Sequence, residues 1–349
     1  MSTSIETSLA AVTAAHAAGD TRVLADTLLR HADVLLRAGR LADAAGAVDQ
    51  AAGLQHDCGA VLDQARCLRM AATLQRLQGH FDAAKTRAQA ALELTLAHAT
   101  ANAPQISADT GAARDVMAME VGAAYAELGE IALAQSDPAS ALDAFNLALA
   151  DGSGAPAARW RGRAKAMALA GRFESAAADL ETAVQLLESS GDTTNALRVT
   201  VEAATAWQQA RRFDRAQALV TAAQPRALSA GDEEALAGLA LLSATDALER
   251  KDAAAARDFA LAARGHALAS RTATPYIGAA IALARIDEQR GDVRGAYAAL
   301  ATGWATVGDL IGAGLARAAF EPLLRGLRER RGVSAFNQAR SAYEAERST

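Results

Sequence analysis

The sequence has few cysteines, few aromatic residues and no long apolar run, and each scarcity excludes a class of protein. Two cysteines in 349 residues exclude a disulfide framework. Cys58 and Cys67 fall in what we predict to be one helix, where a separation of nine residues would point them to opposite faces. Aromatic residues make up 4% of the chain and β-branched residues are also scarce, so extended sheets are not expected.

Charge and hydropathy indicate where the protein resides and which partners it does not bind. Arg, Asp or Glu recurs in nearly every turn, so no stretch approaches the roughly 18 apolar residues of a membrane-spanning helix. The first 18 residues lack the basic start and apolar run of a signal peptide, and we expect a cytoplasmic protein. A balance of 35 basic against 40 acidic residues does not suggest a general binder of nucleic acid or membrane.

What the sequence does contain is alanine, in a repeating arrangement. Alanine is the best helix former and supplies 96 residues, which predicts an all-α fold. Seven segments echo one another, mostly at intervals of about 40 residues, as paired-helix repeats do. Their predicted turns are at Gly39, Gly79, Ser136, Gly171, Arg211, Lys251 and Gly291.

Small residues recur at fixed distances from these turns. They stand five residues after each turn (Ala44, Ala84, Ala141, Ala176, Ala216, Ala256, Ala296), twelve after it (Ala51, Ala91, Ala148, Ala183, Ala223, Ala263, Gly303) and seven before it (Ala32, Ala72, Gly129, Ala164, Ala204, Ala244, Ala284). We interpret each unit as a helix, a short turn and a second helix, with small residues where two backbones come close. No single hairpin covers its own apolar face, so neighbouring hairpins must stack.

Over residues 22–346 this framework resembles the tetratricopeptide repeat (TPR) family, most closely at Gly171–Ala183 and Gly79–Ala91. The units are longer than a standard TPR, which is similar to the arrays of bacterial regulators of the maltose-activator and Rap-phosphatase type. The resemblance implies a right-handed α-solenoid of antiparallel helix pairs with capping helices at both ends. We expect a capping helix in residues 1–21, seven repeats in 22–308 with a loop inserted at about 99–114, and a capping pair in 309–349.

Catalytic and metal-binding motifs are not found. The sequence has no phosphate-binding G-x-x-x-x-G-K-[ST] run and no H-E-x-x-H. The group His56-Asp57-Cys58, with Cys67 nearby, matches no zinc spacing. Glu120, Glu127 and Glu130 lack the histidines of a di-iron bundle, and we expect them to be solvent-exposed or near helix ends. The prediction is therefore a non-enzymatic protein that needs no cofactor or metal.

The remaining signal is a basic stripe. In the TPR family the first helix of each pair lines the concave face, so the resemblance places ligand contacts there. Helical spacing puts four residues of one such helix on one face, and counting back from the turns adds three from other repeats. The predicted partner-binding residues are Arg66, Arg69, Thr73, Arg76, Arg161, Lys165 and Arg198. Arginine forks suit carboxylates, so the expected ligand is an acidic peptide or chain terminus. The alternative is that these are ordinary solvated side chains.

Three functions fit this description. The leading hypothesis is an interaction scaffold or adaptor, such as an assembly factor or accessory subunit of a bacterial complex, that holds a segment of another protein. The second is a regulatory sensor, in which a small ligand or peptide tightens the array. The third is self-assembly through the amphipathic C-terminal helices, Glu321–Arg331 and the segment that follows.

Overall fold

A computed structural model describes residues 2–102, 112–150 and 156–347, and all regular structure in these ranges is helical. The chain forms two compact units, Met1–Arg172 and Phe173–Thr349. Unit 1 contains α1 (Ser2–Ala18), α2 (Thr21–Arg37), α3 (Leu41–Asp57), α4 (Val61–Leu77), α5 (Phe81–Ala101), α6 (Ala112–Ala134), α7 (Pro138–Ala148) and α8 (Ala157–Leu169). Unit 2 contains α9 (Phe173–Ser189), α10 (Thr193–Gln209), α11 (Phe213–Ala230), α12 (Glu233–Glu249), α13 (Ala253–Ala269), α14 (Ala273–Gln289), α15 (Val293–Ile311), α16 (Ala313–Arg331) and α17 (Val333–Arg347).

Within each unit the predicted helix pairs are confirmed; α8 and α9, which belong to different units, take their labels below from the sequence register alone. We call the first helix of each pair an A helix and the second a B helix. The A helices are α2, α4, α6, α8, α10, α12, α14 and α16, and the B helices are α3, α5, α7, α9, α11, α13, α15 and α17. Within each unit successive helices pack against each other, as in α2 on α3 and α12 on α13. This is the all-α stacking of hairpins that the repeat predicts.

The turns explain why the helices are so regular in length. Most helices end at a residue with positive φ, which lets the last carbonyls of the helix accept hydrogen bonds from the turn. Glycine tolerates this conformation and fills it at Gly39, Gly59 and Gly79. Aspartate begins many of the following helices; the Asp252 carboxylate, for example, accepts a hydrogen bond from the Ala255 N–H at 3.0 Å.

The three rows of small residues are buried, as predicted for close helix contacts. Every alanine in these rows is at most 6% exposed, and Gly129 and Gly303 are also buried. A larger side chain at such positions would force the helices apart or clash with a neighbour, because protein interiors are close-packed. Alanine therefore sets the distance between helices throughout both units.

Two predicted boundaries differ from the structure. Residues Asp309–Ile311 belong to α15, so the last pair begins at Ala313, because Gly312 with a φ of 94° ends the preceding helix. Of the loop predicted at about 99–114, Ala99–Ala101 lie in α5 and the chain from Ala112 lies in α6, whereas residues 103–111 lie outside the described residues. No helix in the described part of the chain is long and apolar enough to cross a membrane.

The two cysteines lie in different helical contexts, and the prediction of a single helix was wrong. Cys58 is the C-terminal cap of α3, and Gly59, with a φ of 65°, turns the chain before α4 carries Cys67. Cys58 is exposed, whereas Cys67 is fully buried. Burial raises the pKa of the Cys67 thiol to about 11.

The difference in burial between Cys58 and Cys67 predicts that the two thiols react with a disulfide reagent at different rates. At pH 8 a colourimetric disulfide reagent should modify one thiol per chain rapidly and the second at least about 100-fold more slowly, because the thiolate is the nucleophile. The slow thiol should become fast in denaturant, and a Cys58→Ser variant should lose only the fast phase. Two equally fast thiols in the folded protein would contradict the burial of Cys67.

Candidate interaction surfaces

In the middle of each unit the A helices pack directly against one another, α4 on α6 and α6 on α8 in unit 1, and α10 on α12 and α12 on α14 in unit 2. At the C-terminal end of unit 2 two B helices, α15 and α17, pack on each other instead. We call the exposed surface of α4, α6 and α8 the A face of unit 1, and that of α10, α12 and α14 the A face of unit 2. These are the surfaces on which the sequence predicts the ligand contacts.

In unit 1 the A face carries the predicted stripe on α4, and its side chains point to α6. Glu120 accepts hydrogen bonds from Arg66 at 2.8 Å and also from Arg69. Two turns further along α6, Glu127 accepts hydrogen bonds from the Thr73 hydroxyl and from Arg76 Nε, both at 2.9 Å. Four side chains that follow one another along one face of α4 are thus held by two glutamates, which stand seven residues apart on α6. We call these six residues the arginine–glutamate ladder.

The ladder is largely withdrawn from solvent. The Glu120 side chain is 9% exposed, and the Arg69 and Arg76 side chains are each 18% exposed. Burial raises the pKa of the Glu120 carboxyl, but the hydrogen bond from Arg66 and the charge of Arg69 outweigh burial and leave that pKa below its ordinary value. At Glu127 burial prevails over the charge of Arg76, so its pKa is raised.

The ladder corrects one sequence interpretation. Glu120 and Glu127 were expected to be solvent-exposed or near helix ends, but both lie within α6 as partners of the basic stripe. With Asp63, which lies 3.0 Å from Arg66, three carboxylates face three guanidinium groups, so the stripe has no net charge. Counting residues did not reveal this pairing, because the interval between these two repeats departs from the 40-residue period.

The other three predicted site residues lie elsewhere. Arg161 is half-buried and Lys165 exposed on α8 of unit 1. Arg198, on α10 of unit 2, forms an ion pair of 2.9 Å with Glu234 of α12, in which both side chains are slightly less than half exposed. Exposed pairs of this kind contribute little to stability.

In unit 2 the A face carries an aliphatic row that the predicted site does not include. Val201, Leu241 and Ile281 lie 40 residues apart on α10, α12 and α14, and each is half-buried. Val201 lies over Gly238, where an added Cβ would be 2.6 Å from its Cγ1, and Leu241 lies over Gly278, where an added Cβ would be 2.4 Å from its Cδ2. Glycine therefore allows neighbouring A helices to approach closely and leaves the aliphatic side chains at the surface.

A groove of about 440 Å³ opens between α12 and α14 along this row. Leu241, Leu248 and Ile281 supply its apolar lining, and Arg285 and Lys251 add positive charge. Glu249 also lines the groove, but its carboxylate pairs with Arg211 at 3.0 Å. Arg285 is exposed and makes no ion pair or hydrogen bond within the residues that the structure describes. The groove thus combines aliphatic side chains with an available guanidinium group in a largely polar lining.

The sequence contained a signal for this row. Val201, Leu241 and Ile281 each stand ten residues before their turn, the position that Arg69 and Arg161 occupy in unit 1. Arg285 stands six residues before its turn, as Thr73 and Lys165 do. The same count that selected the basic stripe would have found the aliphatic row if it had been carried to the later repeats. In the described residues no cluster of three or more metal-ligating side chains occurs.

Comparison with known proteins identifies the fold. No protein-family profile and no curated protein sequence matches the chain. Among solved structures, the apo form of RapI superposes with a TM-score of 0.59 at 11% identity, covering 86% of this chain and 76% of RapI. Aspartyl phosphate phosphatase F from Bacillus subtilis superposes with a TM-score of 0.57 at 13% identity, covering 84% of this chain and 74% of that protein.

Both are TPR-like helical repeat proteins, so this chain has a TPR-like α-solenoid fold. The resemblance noted in the sequence is thereby confirmed at the level of the fold.

Proposed function

We propose that this protein is a non-enzymatic interaction scaffold of the bacterial cytoplasm, which holds a segment of a partner protein on the A face of unit 2. The observation that carries the proposal is the row Val201, Leu241 and Ile281, which leads into a groove with an available guanidinium group. Half-buried aliphatic side chains suit an apolar partner segment, and Arg285 suits a carboxylate on that segment.

The charge balance of unit 1 supports this choice of surface. An acidic ligand at the ladder would have to displace Glu120 from Arg66 and Arg69, and Glu127 from Arg76. Arg285 has no such competitor in the described residues, so a carboxylate can reach it without breaking an existing ion pair. We therefore assign the partner contact to unit 2 and regard the ladder as a structural brace between α4 and α6.

The test is purification of the tagged protein from its source organism beside an Ile281→Glu/Arg285→Glu variant. We expect one stoichiometric partner whose recovery falls at least about tenfold in the variant, since burying an unpaired carboxylate against apolar surface costs more than about 1.4 kcal/mol. The matched control is Leu261→Glu/Arg264→Glu on the B helix α13, where Leu261 is exposed. This control should retain the partner.

Each other outcome overturns part of the proposal. A partner retained by both variants would mean that binding does not use the A face of unit 2. A partner lost from both variants would indicate damage to the fold, which thermal unfolding would reveal. No protein partner at all would favour the sensor hypothesis over the scaffold.

A further inference from the structure

A second pocket lies at the C-terminal end of unit 2, away from the aliphatic row. It is formed by α15, α16 and α17 and has a volume of about 760 Å³. Four aromatic side chains line it: Tyr297, Trp304, Phe336 and Tyr343. The whole chain has only 3 Trp, 4 Tyr and 7 Phe residues, so this concentration of rings is unusual for the molecule.

Three of the four rings contact one another. Tyr297 makes edge-to-face contacts with Phe336, at a centroid distance of 5.3 Å, and with Tyr343, at 5.6 Å. The Tyr343 hydroxyl also lies 3.1 Å from the Thr302 hydroxyl. Trp304 lines the pocket beside these three rings and remains half-buried, so part of the aromatic surface stays open to solvent.

Helix α16, which lines one side of the pocket with Leu324, is basic although the chain is acidic. It carries five arginines against two glutamates; Arg317 and Arg325 pair with Glu321. The last two, at positions 330 and 331, pair with Glu288 of α14. Arg328 lies one turn from the lining residue Leu324 and is exposed, with no ion pair or hydrogen bond in the described ranges. At the rim Arg340 binds Glu344 at 2.7 Å, so this pair adds no net charge.

We propose that this pocket is a second docking site, which receives a large apolar side chain from an acidic segment of a partner protein. The aromatic lining provides a preformed surface for the apolar anchor, because edge-to-face contacts already fix three of the four rings. Arg328, which has no partner in the described ranges, and the net positive charge of α16 provide charge complementarity for acidic residues that flank the anchor. The same positive charge argues against a cationic ligand within the aromatic walls. The site goes beyond the proposed scaffold function, because it uses other helices and another chemistry than the aliphatic row.

The test is selection of a random twelve-residue peptide library, displayed on phage, against the whole protein. We expect enrichment of peptides in which Trp, Phe or Leu is flanked by Asp or Glu. A synthetic copy of the most enriched peptide should bind at least tenfold more weakly to an Ala301→Glu variant, because Ala301 lines the pocket. Arg328→Glu should weaken binding about threefold or more, and added salt should weaken it further.

Two controls locate the site. Ala305→Glu makes the same substitution at an exposed position of α15 that does not line the pocket, and should leave binding unchanged. Ile281→Glu/Arg285→Glu should also leave it unchanged, which separates this site from the proposed A-face site. Should Ala301→Glu fail to fold, as judged by thermal unfolding, Arg328→Glu at an exposed position still tests the proposal.

Several results would overturn the inference. These are the absence of any enriched peptide, enrichment of basic peptides, or binding that neither Ala301→Glu nor Arg328→Glu weakens. Self-association of the unmodified protein in sedimentation, abolished by Ala301→Glu, would overturn it in favour of a second copy as the occupant.

Discussion

Replacing Glu120 with alanine is expected to lower the free energy of unfolding by about 3 kcal/mol, the lower end of the range for breaking a buried ion pair. The Glu120 carboxylate holds both Arg66 and Arg69, and Arg69 is only 18% exposed, so its guanidinium group would lose its partner in a place that water reaches poorly. The lower end applies because Arg66 is 46% exposed and can be solvated. Urea unfolding followed by circular dichroism measures the change.

Glu130→Ala is the matched control on the same helix. Glu130 forms no ion pair or hydrogen bond in the ranges that the structure describes, and its charge raises the pKa of Glu127. Removing it should change the free energy of unfolding by less than about 0.5 kcal/mol. If Glu120→Ala proves as mild as this control, the ladder does not brace unit 1.

The two glutamates of the ladder should respond to pH with opposite signs. The pKa of Glu120 is lowered in the folded protein, so its stabilising effect is present above its ordinary value of 4.5 and is lost as pH falls through the folded pKa. The pKa of Glu127 is raised, so its effect is fully present below 4.5 and is lost as pH rises through the folded pKa.

Glutamine variants make this difference measurable. As pH falls from 7 to 3, the stability of the unmodified protein should fall relative to Glu120→Gln and rise relative to Glu127→Gln. Denaturant unfolding across this pH range is the measurement. If the stability difference from the unmodified protein changed in the same direction with pH for both variants, the opposite pKa shifts of Glu120 and Glu127 would be contradicted.

Replacing Phe145 with alanine should have the largest effect of any single apolar substitution in unit 1, about 3–5 kcal/mol. Phe145 is among the largest side chains that are fully buried, with 1% exposure. Its ring fills the space left by two glycines: an added Cβ would lie 2.7 Å from the ring at Gly129 on α6 and 2.4 Å from it at Gly162 on α8. One aromatic ring thus fills the gap between two A helices. Phe259→Ala, at an exposed phenylalanine, should cost less than about 1 kcal/mol.

A double-mutant cycle tests this packing directly. Gly162→Ala alone should destabilise unit 1 by about 1–3 kcal/mol, because its methyl group overlaps the ring. Combined with Phe145→Ala, the same substitution should stabilise by up to about 1 kcal/mol, since alanine favours a helix over glycine once the ring is gone. Additive effects in urea unfolding would show that Phe145 and Gly162 do not share this contact.

How far the sequence predicts this protein depends on whether a feature follows from local periodicity. The helix pairs, their turns and the buried alanine rows follow from it, because helix propensity and the spacing of small residues act within one hairpin. The aliphatic row also has a periodic signature, ten residues before each turn. The ladder has none, since Arg66 and Glu120 are 54 residues apart across an interval that breaks the period.

The sequence by itself determined the class of fold: alanine at fixed distances from each turn allows only close-packed helices, and repetition requires neighbouring hairpins to stack. Only the tertiary structure decided which charges meet and which surfaces remain open. Glu120 and Glu127 neutralise the basic stripe because α4 and α6 pack side by side. The aromatic pocket exists because α17 packs on α15 as well as on α16. Lateral contacts between helices depend on how the hairpins stack, and local sequence preferences do not encode that arrangement.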